Sequence, residues 1–102
     1  MAGKAYTSGD WIVKAGEEDA FVDEWTAFAR WTLEHAPGGR EFTLIRQAND
    51  PSHFVSFGAW ESAEAVNEWR SSPEFSERLG RCRAHCDHFE AHDFGLSSRV
   101  GG

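Results

Sequence analysis

Residues able to do chemistry crowd into the last quarter of the chain. Cys82, His85, Cys86 and His88 place four potential metal ligands within seven residues, and zinc accepts thiolate and imidazole donors. The spacing favours a different use. Phe75, Leu79, Cys82 and Cys86 recur at 0, +4, +7 and +11, one helical stripe, and His85 falls off it. Free cysteine is among the most buried residue types, so both thiols are expected inside a helix–core contact, with no metal. A disulfide between residues four apart in one helix lacks the required geometry. Further on, His88-x-Glu90-x-His92 sets three polar side chains on one face of a strand. Imidazole titrates near neutrality, which makes His88 and His92 candidate general bases; the alternative is an exposed rim. A His-x-Glu pair also opens the zinc-deaminase pattern, but the Pro-Cys-x-x-Cys that must follow is missing. Glycine-rich phosphate loops and a Gly-x-Ser-x-Gly elbow are absent too, which leaves nucleotide cofactors and a serine triad without support.

The elements that must position these residues can be read from periodicity. Tyr6 to Lys14, centred on Trp11-Ile12-Val13, reads as a strand. Gly16 breaks it. Glu17-Glu18-Asp19 then suit the positive end of a helix running to Ala36, with Phe21, Trp25, Phe28 and Thr32 as its stripe and Pro37-Gly38-Gly39 as its stop. Glu41 to Ala48 and His53 to Trp60 form a hairpin around Asn49-Asp50-Pro51-Ser52. Ser62 caps a helix through Arg70, and Ser72-Pro73 restarts another. His88 to Leu96 is the last strand. The order predicts an α+β, ferredoxin-like split βαββαβ plan with its second helix broken and a four-stranded antiparallel sheet. One domain is expected over residues 5–97, with loose termini at 1–4 and 98–102.

Strand 3 carries Phe54, Ser56, Gly58 and Trp60 on one side and Val55, Phe57 and Ala59 on the other. Both sides are largely apolar, so both faces of the sheet need cover, and a second copy is the simplest cover for the face the helices leave. A homodimer is therefore expected.

Composition narrows the partners. With 10 Lys and Arg against 17 Asp and Glu, the net charge of −7 repels nucleic acid and anionic membranes. Arg78, Arg81 and Arg83 alternate with acidic and apolar residues and read as a solvated helix face. No run approaches the roughly 18 apolar residues of a membrane span. Met1–Ala5 lacks the apolar segment of a secretory signal, and with two Cys this points to the cytoplasm and reduced thiols. Five Trp and eight Phe supply either a core rich in rings or a pocket for a flat apolar ligand.

The run Phe54-Val55-Ser56-Phe57-Gly58-Ala59-Trp60-Glu61-Ser62-Ala63-Glu64-Ala65, then Trp69 and Ser72-Pro73-Glu74-Phe75, resembles the antibiotic biosynthesis monooxygenase family. So do Gly16-Glu17-Glu18 and Pro37-Gly38, and the likeness extends from Asp10 to Leu96. It implies a dimeric α+β barrel, in which two sheets face each other and each subunit keeps a pocket between helices and sheet. Some members oxidise polycyclic aromatic phenols with O2 and no cofactor, and relatives degrade haem. At the positions of the haem-degrading Asn, Trp and His, this chain carries Gly9, Trp69 and Leu79, and leucine cannot ligate haem iron. At the Asn, Trp and Tyr of the phenol-oxidising members it carries Ser56, Trp60 and Val66. A Ser hydroxyl can still donate to a developing oxyanion, whereas Val66 cannot.

The resemblance thus implies Trp60 and Ser56 as catalytic residues, and a substrate pocket drawn from Trp25, Phe28, Phe54, Val66, Trp69 and Leu79. The expected function is a cofactor-independent monooxygenase acting with O2 on a flat, electron-rich aromatic such as a polycyclic phenol or anthrone. A second reading stays open: a non-catalytic homodimer of the same fold that binds a small molecule or serves a structural role, with Trp60, Val66, Trp69 and Phe75 as plain core.

Overall fold

The computed structural model describes residues 4–101. Its elements are β1 (Ala5–Val13), α1 (Glu18–His35), β2 (Gly39–Arg46), β3 (His53–Trp60), α2 (Ala63–Arg70), α3 (Pro73–Arg83) and β4 (Cys86–Gly95). The strands pair antiparallel in the order β2-β3-β1-β4. This is the ferredoxin-like α+β arrangement, with its second helix split as the Ser71-Ser72-Pro73 run requires. Residues 96–101 add no helix or strand, and of the termini expected to be loose, residues 1–3 and 102 lie outside the described residues.

Local chemistry explains the boundaries. Gly16 turns the chain with φ of 89°, and its N–H donates to the Glu18 carboxylate at 2.9 Å. The free N–H groups at the start of α1, that of Glu18 itself first, hold the Glu18 carboxyl below the usual carboxylate range. α1 ends before Gly38, where φ is 94° and an added Cβ would meet Ala65 Cβ at 2.6 Å. Glycine is thus required there twice, by backbone conformation and by the close approach of α2. Ser62 Oγ accepts from Ala65 N–H at 3.1 Å, and Ser72 Oγ accepts from Glu74 N–H at 3.2 Å, capping α2 and α3.

One expectation is corrected. Cys86 does not continue the α3 stripe. The helix closes with Ala84 N–H on Gly80 O and His85 N–H on Cys82 O, and Lys14 N–H takes His85 O at 2.9 Å, drawing the chain into the sheet. Cys86 is already in β4, opposite Val13. No Gly or Pro marks this stop; a tertiary hydrogen bond makes it.

All three helices lie on one face of the sheet. β1 turns Thr7, Gly9, Trp11 and Val13 toward them, and β3 turns Phe54, Ser56, Gly58 and Trp60 the same way. Phe21 meets Trp11 and Phe54 at ring separations of 5.1 Å each, and Val13 and Cys82 belong to the same buried cluster. Over the opposite face, no element among the described residues packs. Phe57, Ile45 and Phe94 there remain 41, 51 and 54% exposed.

Candidate functional site

Beside that core the helical layer and the sheet part, leaving a cavity of about 270 Å³. Its roof comes from Trp25, Phe28 and Thr32 of α1, Trp69 and Arg70 of α2, and Phe75 and Leu79 of α3. Its floor comes from Thr7, Gly9 and Trp11 of β1, Phe42 of β2, Ser56 and Gly58 of β3, and Phe89 and Ala91 of β4. The roof is a stack of rings: Phe28 lies on Trp69 at 5.7 Å, nearly parallel, and Phe75 meets Trp69 edge-on at 4.5 Å. Such walls offer a flat apolar ligand dispersion and offset stacking.

Polar groups around the cavity follow one pattern. Trp11 Nε1–H donates to Ser56 Oγ at 2.9 Å, Trp60 Nε1–H to Thr7 Oγ1 at 3.1 Å, and Trp69 Nε1–H to Thr32 Oγ1 at 3.1 Å. Thr32 passes its own proton to Phe28 O at 2.9 Å, inside its helix. The one charged side chain lining the cavity, among the described residues, is Arg70. Its guanidinium grips Asp93 of β4 with two hydrogen bonds of 2.5 and 2.7 Å. These bonds hold the Asp93 carboxyl below its ordinary range and raise the guanidinium further.

The structure brings together some of the residues singled out in the sequence and separates others. Ser56, Trp25, Phe28, Trp69 and Leu79 line the cavity. Trp60 does not: it is fully buried behind the wall, 4.7 Å from the Trp69 ring and edge-on to Phe42 at 5.3 Å. Phe54 is core, packed on Phe21. Val66 is buried beside a separate hollow that Lys4, Asn67 and Phe94 also line.

His88 and His92 are out of reach of the cavity. They stand opposite Ile12 and Ser8 of β1, so the strand's alternation turns them to the uncovered face of the sheet. There the Glu90 carboxylate sits 2.6 Å from His92 Nε2 and 3.7 Å from His88 Nε2.

The Cys and His side chains near the end of α3 also go separate ways. Cys82 is buried in the core, and burial, followed by the Glu24 charge, pushes its thiol up to about 12. Cys86 is held up at about 11, again chiefly by burial, and His85 Nδ1 pairs with Glu17 at 2.9 Å. Among the described residues no three His, Cys, Asp or Glu side chains are grouped to hold a metal ion.

Thr7, Thr32, Phe42, Arg70 and Phe89 are site residues that the motifs did not mark. A signal for Thr7 existed: it lies two and four residues before Gly9 and Trp11, on the inward period of β1. Arg70 carried none, because its place depends on how the C-terminal end of α2 meets β4.

A one-sided helical layer on a β2-β3-β1-β4 sheet, with an apolar cavity between the two, defines a ferredoxin-like α+β protein with an internal small-molecule-sized site. The chain belongs to the antibiotic biosynthesis monooxygenase family, whose profile matches residues 10–78. Among solved structures, it is similar to SnoaB, a cofactor-independent oxygenase from Streptomyces nogalater, in a form with an asparagine replaced by alanine. That similarity has a TM-score of 0.89 at 19% identity, over 99% of this chain and 100% of that one. A conserved protein from Methanosarcina mazei Go1 superposes with a TM-score of 0.82 at 13% identity, over 94% of this chain and 95% of that one. A protein from Deinococcus radiodurans assigned to the same family gives 0.82 at 11% identity, over 95 and 96%. No curated protein matches the chain. No helix among the described residues is long and apolar enough to cross a membrane.

Proposed function

We propose that the chain is a cofactor-independent monooxygenase of flat, electron-rich aromatics, working as a homodimer. The observation that carries this reading is the ring-walled cavity with the Ser56 hydroxyl on its floor. At about 270 Å³ it sits just below the range of roughly 300–1,000 Å³ usual for ligand pockets. That size suits a compact ligand of two or three fused rings. SnoaB, which shares the fold, is a cofactor-independent oxygenase.

In this reading a phenol or anthrone first loses a proton. Its conjugate base then gives one electron to O2, the resulting radical pair combines at carbon, and the peroxide loses water. A CH2 group and O2 thereby become C=O and H2O, with no external reductant. The chain's contribution is to exclude water, stack the rings and stabilise the oxyanion. His88 and His92 face away, and Arg70 is the one charged group on the cavity wall among the described residues. The proton therefore leaves to solvent, and the substrate must be acidic enough to ionise in the site.

The uncovered face of the sheet, with Val55, Phe57, Ile45 and Phe94, supports the dimer, since an exposed apolar sheet face marks an interaction surface.

A second reading, a binding protein without chemistry, draws on the same absence of a base within the cavity. Oxygen uptake with an anthrone or a naphthol, without additives, separates the two. Turnover that drops in Ser56→Ala more than binding does is the expected result. Tight binding with no uptake across a panel of such phenols would leave the binding protein in its place.

A further inference from the structure

Thr7 and Ser56 are the two polar side chains buried in the floor of the cavity, each 8% exposed. Each accepts one indole N–H, Thr7 from Trp60 and Ser56 from Trp11. A hydroxyl also has a proton to give. Among the described residues neither of these protons reaches a protein acceptor, whereas the protons of Thr26 and Thr32 go to carbonyls of their own helix. A buried donor without an acceptor is costly, on the order of 1–3 kcal/mol, unless a ligand or water takes it.

The strand register shows where those protons can go. Thr7 stands directly opposite Gly58, and Ser56 directly opposite Gly9. The four residues form a checkerboard in which each hydroxyl faces a glycine across the strands. A Cβ on Gly9 would come within 2.8 Å of Ser56 Oγ, and one on Gly58 within 3.1 Å of Thr7 Oγ1. The Phe42 ring takes the space over Gly58 and the Trp11 indole that over Gly9, and both hydroxyls line the cavity beside these rings. Diagonal neighbours of this kind lie roughly 7–8 Å apart, their Cβ atoms somewhat closer. Two hydroxyls at that separation can both reach one oxygen between them, each through an O–H···O bond of about 2.7 Å.

We propose that Thr7 and Ser56 together form a two-donor oxyanion site for a ligand phenolate or enolate oxygen, with Trp60 and Trp11 as positioning residues that fill the hydroxyls' lone pairs and turn their protons into the cavity. This rests on the cavity being the substrate site, as proposed above, but not on oxygen chemistry taking place there. It gives Trp60, buried behind the wall and unable to stack on a ligand, a role exercised through Thr7. It also selects ligands with an ionisable oxygen on the flat ring system over plain hydrocarbons of the same size.

The test compares 2-naphthol with 2-methylnaphthalene, a near-isostere without the oxygen. Binding of both is followed across pH by fluorescence, and oxygen uptake is measured with an anthrone. In the wild type, bound 2-naphthol should ionise at lower pH than free 2-naphthol. Thr7→Val should raise that bound pKa by about one unit, a tenfold loss of preference for the anion, while 2-methylnaphthalene binding stays within about twofold. Thr7→Ser should restore most of the shift, and Ser56→Ala should act like Thr7→Val. Trp60→Phe keeps the bulk but removes the N–H, and should lose part of the shift. It also serves as an independent variant if Thr7→Val, which strands the Trp60 N–H, folds poorly by circular dichroism.

An unchanged bound pKa in Thr7→Val, or equal losses of both ligands in Thr7→Val and Thr7→Ser, would overturn the oxyanion site even if oxygen uptake is normal. A Thr7-dependent shift with no oxygen uptake supports the site and removes the oxygenase reading instead. Failure of the wild type to bind either aromatic would sink both.

Discussion

Arg70, the last residue of α2, is joined to Asp93 of β4 by a two-pronged ion pair of 2.5 and 2.7 Å. The contact links the helical layer to an edge strand at one end of the cavity. Both side chains are partly exposed, so its worth is that of a well-formed surface pair, about 0.5–1 kcal/mol. The Asp93 carboxyl is held below its ordinary value, chiefly by the Arg70 hydrogen bonds. A depressed carboxylate stabilises the fold above its unfolded pKa, about 3.9, and that stabilisation is lost as pH falls through the lower folded value. Asp93→Asn should therefore unfold at a lower temperature than wild type at pH 7. The gap should narrow as melts are repeated at pH values falling through the lowered pKa of the Asp93 carboxyl, and a gap independent of pH would show that the charge is not what matters.

Gly58 leaves no space for a methyl group. A Cβ there would lie 2.5 and 2.6 Å from two atoms of the Phe42 ring. Phe42 cannot retreat freely, since it meets Trp60 edge-on at 5.3 Å. Gly58→Ala should cost about 1–3 kcal/mol, the usual penalty for overpacking, read from urea unfolding. A change under about 0.5 kcal/mol would mean that the Phe42 ring swings aside with ease.

The two thiols should be inert. Burial raises Cys82 to about 12 and Cys86 to about 11, so almost no thiolate exists at neutral pH. Ellman's reagent at pH 8 should label the native protein slowly, Cys86 ahead of the fully buried Cys82, and label both quickly in denaturant. Rapid labelling of Cys82 in the native state would mean that α3 opens on that timescale.

On the uncovered face of the sheet, Phe57 sits between Ser8 and Thr43 in the register of β3 with its neighbours. If two copies meet there as proposed, Phe57→Arg should shift sedimentation from a dimer toward the 11.4 kDa chain, because a buried unpaired charge is heavily penalised. A wild-type protein that sediments as a single chain at micromolar concentration would remove the dimer.

Removing the Trp69–Thr32 hydrogen bond tests the roof. Thr32→Val keeps the volume but leaves the Trp69 N–H, which now bridges α2 to α1, without its acceptor. The expected loss is about 1–2 kcal/mol. In a double-mutant cycle with Trp69→Phe, the coupling should be positive, about 0.5–1.5 kcal/mol, and additivity of the two would discount the bond.

The element order was legible in the chain because it rests on local rules. Alternation in Phe54–Trp60, the Phe21–Trp25–Phe28–Thr32 stripe, the Ser62 and Ser72 caps and the Pro37-Gly38 stop each act over a few residues, and each appears where those rules put it. The family motif likewise marked Ser56, Trp69 and Leu79, which line the cavity. What local rules cannot supply is registry between strands distant in sequence. His88 and His92 turn away from the cavity because β4 pairs with β1 in a register that sets them opposite Ile12 and Ser8. Thr7 enters the cavity wall because the same sheet places it opposite Gly58, 51 residues further along the chain. Cys86 leaves the helix because Lys14 N–H captures His85 O. Each of these outcomes depends on hydrogen bonds between partners far apart in sequence, so no spacing within a single segment carries them.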